Sequence, residues 1–180
     1  MKNIIYLLIF LISVSCNADK TKKIDAEKSK FSTSDASELF FKNVRQRYYD
    51  REEMAASKLN IYRIQERNQR VDYPHLQLAI VINWRYDEAY ILLEPNELSP
   101  QDFISITWMD EKANSGNYSF SFGDKNGHFE FASQIYSSIQ DGHELYLTVN
   151  EEEIPYLKNK NDREAFRKTM KDYYRLVDLL

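Results

Sequence analysis

The chain has 180 residues, 24 Lys+Arg against 28 Asp+Glu and a net charge of −4; the length suits one domain, and the acidity disfavours nucleic acid, whose binders concentrate positive charge. One cysteine and three histidines leave no disulfide framework and no metal motif at ligand spacing, so neither cofactor nor metal is expected. Aromatic residues at 14% suffice for a packed core without disulfide or metal staples.

The first element is a leader. Met1-Lys2-Asn3 gives a positive start, Ile4 to Ile12 is a nine-residue apolar run, and Ser13 and Ser15 are small, which is the layout of a secretory signal peptide over 1–15. The run is less than half of what a bilayer-spanning helix needs, about 20 apolar residues. Ile12-Ser-Val-Ser-Cys16 resembles the lipobox of bacterial lipoproteins, in which a small residue precedes a cysteine that is diacylated and becomes the new N-terminus. The resemblance implies lipidation of Cys16, attachment to a membrane and residence in the cell envelope. Asn17, in place of an acid after the cysteine, resembles outer-membrane-sorted lipoproteins and implies an anchor there facing the periplasm. Ser13-Val-Ser15 also meets the small-x-small rule of ordinary signal peptidase, so a secreted, unlipidated product is the alternative.

Residues 16–35 read as a tether, with five lysines and four acids after the cysteine and only Ile24 and Phe31 as bulky apolar residues. The remaining 36–180 form the expected single domain. Ser34 with acids at Asp35 and Glu38 predicts a helix over about 35–50, with Ala56 as its outer bound, on which Phe40, Val44 and Tyr48, with Phe41 beside them, recur at helical spacing. Leu59 to Ile64 predicts a strand. Leu76, Leu78, Ile80, Ile82 and Trp84 fall at every second position, and Ala89 to Leu93 returns after Arg85-Tyr-Asp-Glu88, predicting a hairpin. Phe103 to Met109 predicts another strand. Tyr118, Phe120 and Phe122 before Gly123-Asp-Lys-Asn-Gly127, with Phe129 and Phe131 after, predict a second hairpin. Ala132 to Ile139 has short-helix spacing closed by Gly142, and Leu145, Leu147 and Val149 alternate as a last strand. Phe166, Met170, Tyr173, Val177 and Leu180 line one face of a C-terminal helix, with Asn161-Asp-Arg-Glu164 as its capping box; one of Tyr173 and Tyr174 is expected to face away. Hairpins without strand-helix-strand repeats predict an α+β fold: an antiparallel sheet of about five to seven strands, with an N-terminal and a C-terminal helix packed against it.

No nucleophile elbow or phosphate-binding glycine loop is present. His75, His128 and His143 read as strand-end and turn residues. Carboxylate pairs such as Asp87 or Glu88 with Glu94, or Asp110 with Glu111, are the arrangement a glycan hydrolase would use. The distinctive cluster is Trp84, Arg85, Tyr86, Tyr90 and Glu94 around one hairpin end, rich in residue types that dominate interfaces and stack on sugars; the alternation nevertheless places Trp84 in the core, and Trp108 likewise. The expectation is a non-catalytic envelope module that binds a protein or envelope polymer. A periplasmic immunity or inhibitor protein is the alternative, and a carboxylate-dependent hydrolase the third reading.

Overall fold

Described residues are 31–70, 72–100 and 102–180 of the computed structural model. The leader, Cys16 and most of the expected tether lie outside them. The last tether residues belong to the folded body: Thr33 N–H donates to Asp87 C=O at 2.8 Å and Ala89 N–H to Phe31 C=O at 2.7 Å, with Ser32 opposite Glu88.

Ser34 has extended backbone and exchanges hydrogen bonds with Ser37, a capping box that starts helix α1 at the predicted place (Asp35–Phe40). The helix does not run on to 50. Phe41–Arg45 widens into a π turn, Gln46–Tyr48 tightens to 3₁₀, and the chain is extended from Tyr49. Of the apolar residues at helical spacing, Phe41 is the one turned inward. Ser37 Oγ donates to Leu176 C=O at 2.7 Å and Phe41 packs edge-on to Tyr62 with ring centroids 5.1 Å apart. These two contacts set the helix phase, so Leu39, Phe40, Val44 and Tyr48 are exposed.

The predicted single sheet is two four-stranded antiparallel sheets. The first comprises β1 (Tyr49–Met54), β2 (Leu59–Ile64), β3 (Leu76–Asn83) and β4 (Glu88–Pro95), in that order. The hairpin read from alternation is β3 and β4, paired from Leu76–Pro95 to Asn83–Glu88. After β5 (Phe103–Met109) and β6 (Ser115–Ser121) comes helix α2 (Lys125–Asp141), then β7 (Glu144–Val149), β8 (Glu152–Tyr156) and helix α3 (Lys160–Leu176). The second sheet runs β6-β5-β7-β8.

The second hairpin is therefore corrected to a strand followed by a helix. Asp124 is an N-cap whose carboxylate accepts the Gly127 amide at 2.9 Å, so Asn126-Gly127 lies in the first helical turn instead of a strand bend. Phe129 and Phe131, two apart, are both buried because α2 packs against β4 of one sheet, β6 and β7 of the other, and α3. A helix covered on several sides needs no narrow apolar stripe. Tyr173 and Tyr174 are likewise both fully buried; the outward-facing expectation fails because Tyr174 donates to Ser133 Oγ of α2 at 3.0 Å. The N-cap of α3 is Asn159, two residues before the expected one. One apolar core runs from Phe41 through both sheets to Val177.

Candidate functional site

The five residues singled out in the sequence do not form one site. Trp84, Arg85 and Tyr86 share the β3–β4 turn and are exposed. Trp84 is not core: β3 ends at Asn83, and Trp84 N–H donates to Lys58 C=O at 3.2 Å in the neighbouring β1–β2 turn, leaving the indole 43% exposed beneath Lys58 Nζ, 4.7 Å from the ring centre. Tyr90 lies on the outer face of the first sheet, beside the small cluster of Ile61, Ala79 and Val81. Glu94 is held by Arg63 through two hydrogen bonds of 2.7 and 2.6 Å, a fork that occupies both carboxylate oxygens. Trp108 is half-buried and stacks on His143 with centroids 4.6 Å apart.

The carboxylate pairs are not placed for paired chemistry. Glu88 and Glu94 are six residues apart on one strand, about 20 Å, well beyond the roughly 5–9.5 Å that glycoside cleavage uses. Glu88 is engaged by Lys125 at 3.0 Å, and Asp110 folds its own turn by accepting the amides of Lys112 and Asn114. His128 is buried in α2, its Nδ1 accepting the Leu93 amide at 3.1 Å, and burial pushes its pKa below the usual imidazole range. Among the described residues no three His, Cys, Asp or Glu side chains come together as a metal site, and no described helix is long and apolar enough to cross a membrane.

A polar cleft missed in the sequence lies where the β2–β3 connection meets the chain between β8 and α3. Its volume is about 350 Å³, lined by Asn68, Arg70, Tyr73, His75, Lys158 and Asp162 with the rings of Pro74 and Pro155, a size within the range of small-ligand pockets. Its floor is a hydrogen-bond network. His75 Nδ1 lies 3.0 Å from Tyr73 C=O and its Nε2 lies 2.8 Å from Gln77 Nε2. Gln77 also donates to the Asn68 carbonyl. These partners hold the ring from both of its nitrogens. Ser99 Oγ donates to His75 C=O at 2.9 Å and Tyr156 OH to Leu76 C=O at 3.2 Å, which stiffens the strand beneath.

Asp162 stands in the first turn of α3 at the cleft edge. Partial burial raises its carboxyl pKa, with His75 and Arg70 acting in the opposite direction, and its described hydrogen bond is a long one from Asn68 Nδ2, 3.4 Å. An acid kept partly desolvated in a concave site is available to a ligand's donor. Tyr73, with Arg70 5.4 Å from its ring centre, adds a flat surface. No sequence signal announced this site, because its parts come from positions 68–75 and 155–162. Compared with known protein families, curated proteins and solved structures, the chain finds no match.

Proposed function

We propose that this is a lipid-anchored protein of the bacterial cell envelope, tied through Cys16 to the outer membrane on its periplasmic side, that binds a hydroxyl-rich envelope polymer without transforming it. The supporting observation is the cleft: an aromatic face, two cations, an acid and amide side chains around about 350 Å³ are the recognition groups a glycan chain uses, hydroxyls against Asp162 and Asn68 and a sugar face against Tyr73. His75 is held from both ring nitrogens and serves as scaffold.

Two measurements test this. Intact mass of protein extracted from membranes should show residues 1–15 removed and acyl chains on Cys16, and a Cys16→Ser variant should leave the membrane fraction. Co-sedimentation with purified peptidoglycan sacculi should fall at least tenfold in affinity for the double variant Tyr73→Ala/Asp162→Asn, since a lost stacking contact and a lost charge-assisted hydrogen bond together exceed about 1.4 kcal/mol. Unchanged sedimentation of the folded double variant would remove the cleft from the proposal.

A further inference from the structure

The two turns at one end of the first sheet form a single surface. Leu59 pairs with Asn83, which sets the β1–β2 and β3–β4 turns side by side, and the Trp84 amide bonds the Lys58 carbonyl across them. Met54, Trp84 and Tyr86 are 41%, 43% and 63% exposed there. Lys58 stands over the Trp84 ring, and the Arg85 guanidinium lies 5.5 Å from the Tyr86 ring centre. Large apolar side chains left in water at adjoining positions mark an interaction surface. Trp and Tyr with Lys or Arg beside them are the composition of side chains at a membrane–water interface, where the amphipathic rings sit at headgroup level and the cations reach phosphate.

The path of the chain selects lipid as the occupant. The body begins at Phe31–Thr33, hydrogen-bonded to Asp87 and Ala89, which adjoin the Trp84–Tyr86 turn. Fourteen residues separate Cys16 from Phe31, a reach of at most about 50 Å, comparable with the 40 Å or so across a 150-residue body. An anchor at Cys16 therefore keeps this end, more than any other, within reach of the bilayer. Charge agrees: Lys58 and Arg85 stand against Asp87 within the two turns, whereas residues 36–180 carry 18 Lys+Arg and 24 Asp+Glu.

We propose that the paired turns bearing Met54, Trp84 and Tyr86 dock into the headgroup layer of the membrane that holds the anchor, giving the body a second contact and a fixed orientation. This rests on the reading of Cys16 as the anchor point. The test separates the two, because the lone cysteine can be coupled chemically whatever its natural fate. The described core lies entirely at or beyond Phe31, so chain 16–180 retains it whole. That chain is joined through Cys16 to maleimide-bearing lipid in phosphatidylcholine vesicles containing one-fifth phosphatidylglycerol, with spin-labelled lipids quenching at shallow or deep positions.

The chain has two tryptophans, so the difference between wild type and Trp84→Phe isolates Trp84. The expected result is Trp84 emission shifted to the blue and quenched at least twofold by the shallow label, with no quenching of Trp108 in Trp84→Phe. In a second readout, uncoupled Cys16→Ser protein partitions onto the same vesicles, and Trp84→Ala/Tyr86→Ala weakens that partition about tenfold or more, as loss of two buried aromatics requires. An unquenched Trp84 on coupled vesicles overturns the proposal, and so does a blue shift without quenching, which marks a second copy of the chain at the turns. Failure of natural acylation, read by intact mass, leaves the vesicle result standing and removes only the anchor.

Discussion

Asp172 is 3% exposed and joins the first segment of the body to the last helix. Arg45 Nε donates to Oδ1 at 2.8 Å and the buried Tyr49 hydroxyl donates to Oδ2 at 2.7 Å. Burial, then the negative charge of Asp172, holds the Tyr49 pKa well above the usual phenol range, so the hydroxyl remains a donor at every accessible pH. Replacing Asp172 with Ala removes that charged acceptor, a bond worth about 1.5–3 kcal/mol, and leaves the hydroxyl its hydrogen bond with Thr169. The Arg45 side chain is 22% exposed, so its guanidinium recovers some hydration and adds a fraction of the 3–5 kcal/mol typical when a fully buried pair is broken. The expected sum is about 3 kcal/mol, or about 6–12 °C in melting temperature for a body of this size. Urea denaturation followed by circular dichroism measures it directly. A double-mutant cycle with Tyr49→Phe should give a coupling near 1.5 kcal/mol. A loss below about 1 kcal/mol for Asp172→Ala would show that the clasp is replaceable by water and the reasoning wrong.

Four further outcomes are expected. His128 is neutral in the fold with a lowered pKa, so as pH falls below about 6.5 the unfolded chain binds the proton first and stability declines until the folded-state pKa is passed; denaturation at pH 7.5 and 5.5 should show this slope reduced in His128→Gln. Glu151 has φ +68° in the β7–β8 turn, where a side chain is disfavoured by about 1 kcal/mol, so Glu151→Gly should raise the urea midpoint, by up to that amount. Asp124→Ala removes the α2 cap and should cost about 1 kcal/mol in the same assay. A Cβ on Gly116 would lie 2.7–2.8 Å from the Trp108 indole; Gly116→Ala should displace the ring from His143 and change Trp108 fluorescence.

Legibility in the sequence followed the number of buried faces and the range of the contacts. The β3 strand was visible because Leu76, Leu78, Ile80 and Ile82 alternate onto one core face, and α3 because Phe166, Met170 and Tyr173 repeat at helical spacing. In β1, YDREEM, only Tyr49 is buried, and β8 contains Pro155 with one buried residue; as edge strands they are held mainly by backbone pairing, and backbone pairing writes nothing into side-chain pattern. The Asn126-Gly127 pair suggested a bend on local chemistry, and tertiary packing on both sheets overrode it. At the hairpin end the residue types were legible and their exposure was not, since alternation carried past Asn83 assigned Trp84 to the interior. The cleft needs Asn68, His75 and Asp162 together, a long-range coincidence that local spacing does not encode.

The placement of α2 bears on how the molecule can come apart. Strands β1–β4 finish before residue 96, yet the helices that cover the inner face of β3 and β4 come from beyond residue 124. A fragment ending at the 96–102 loop would therefore present a greasy sheet to solvent, and the C-terminal remainder would carry two helices with half their contacts missing. Neither half is a self-sufficient folding unit: denaturation should be a single all-or-none transition, a nascent chain must wait for its last helix before its first sheet is safe, and two separately made halves should be inert alone and fold on mixing.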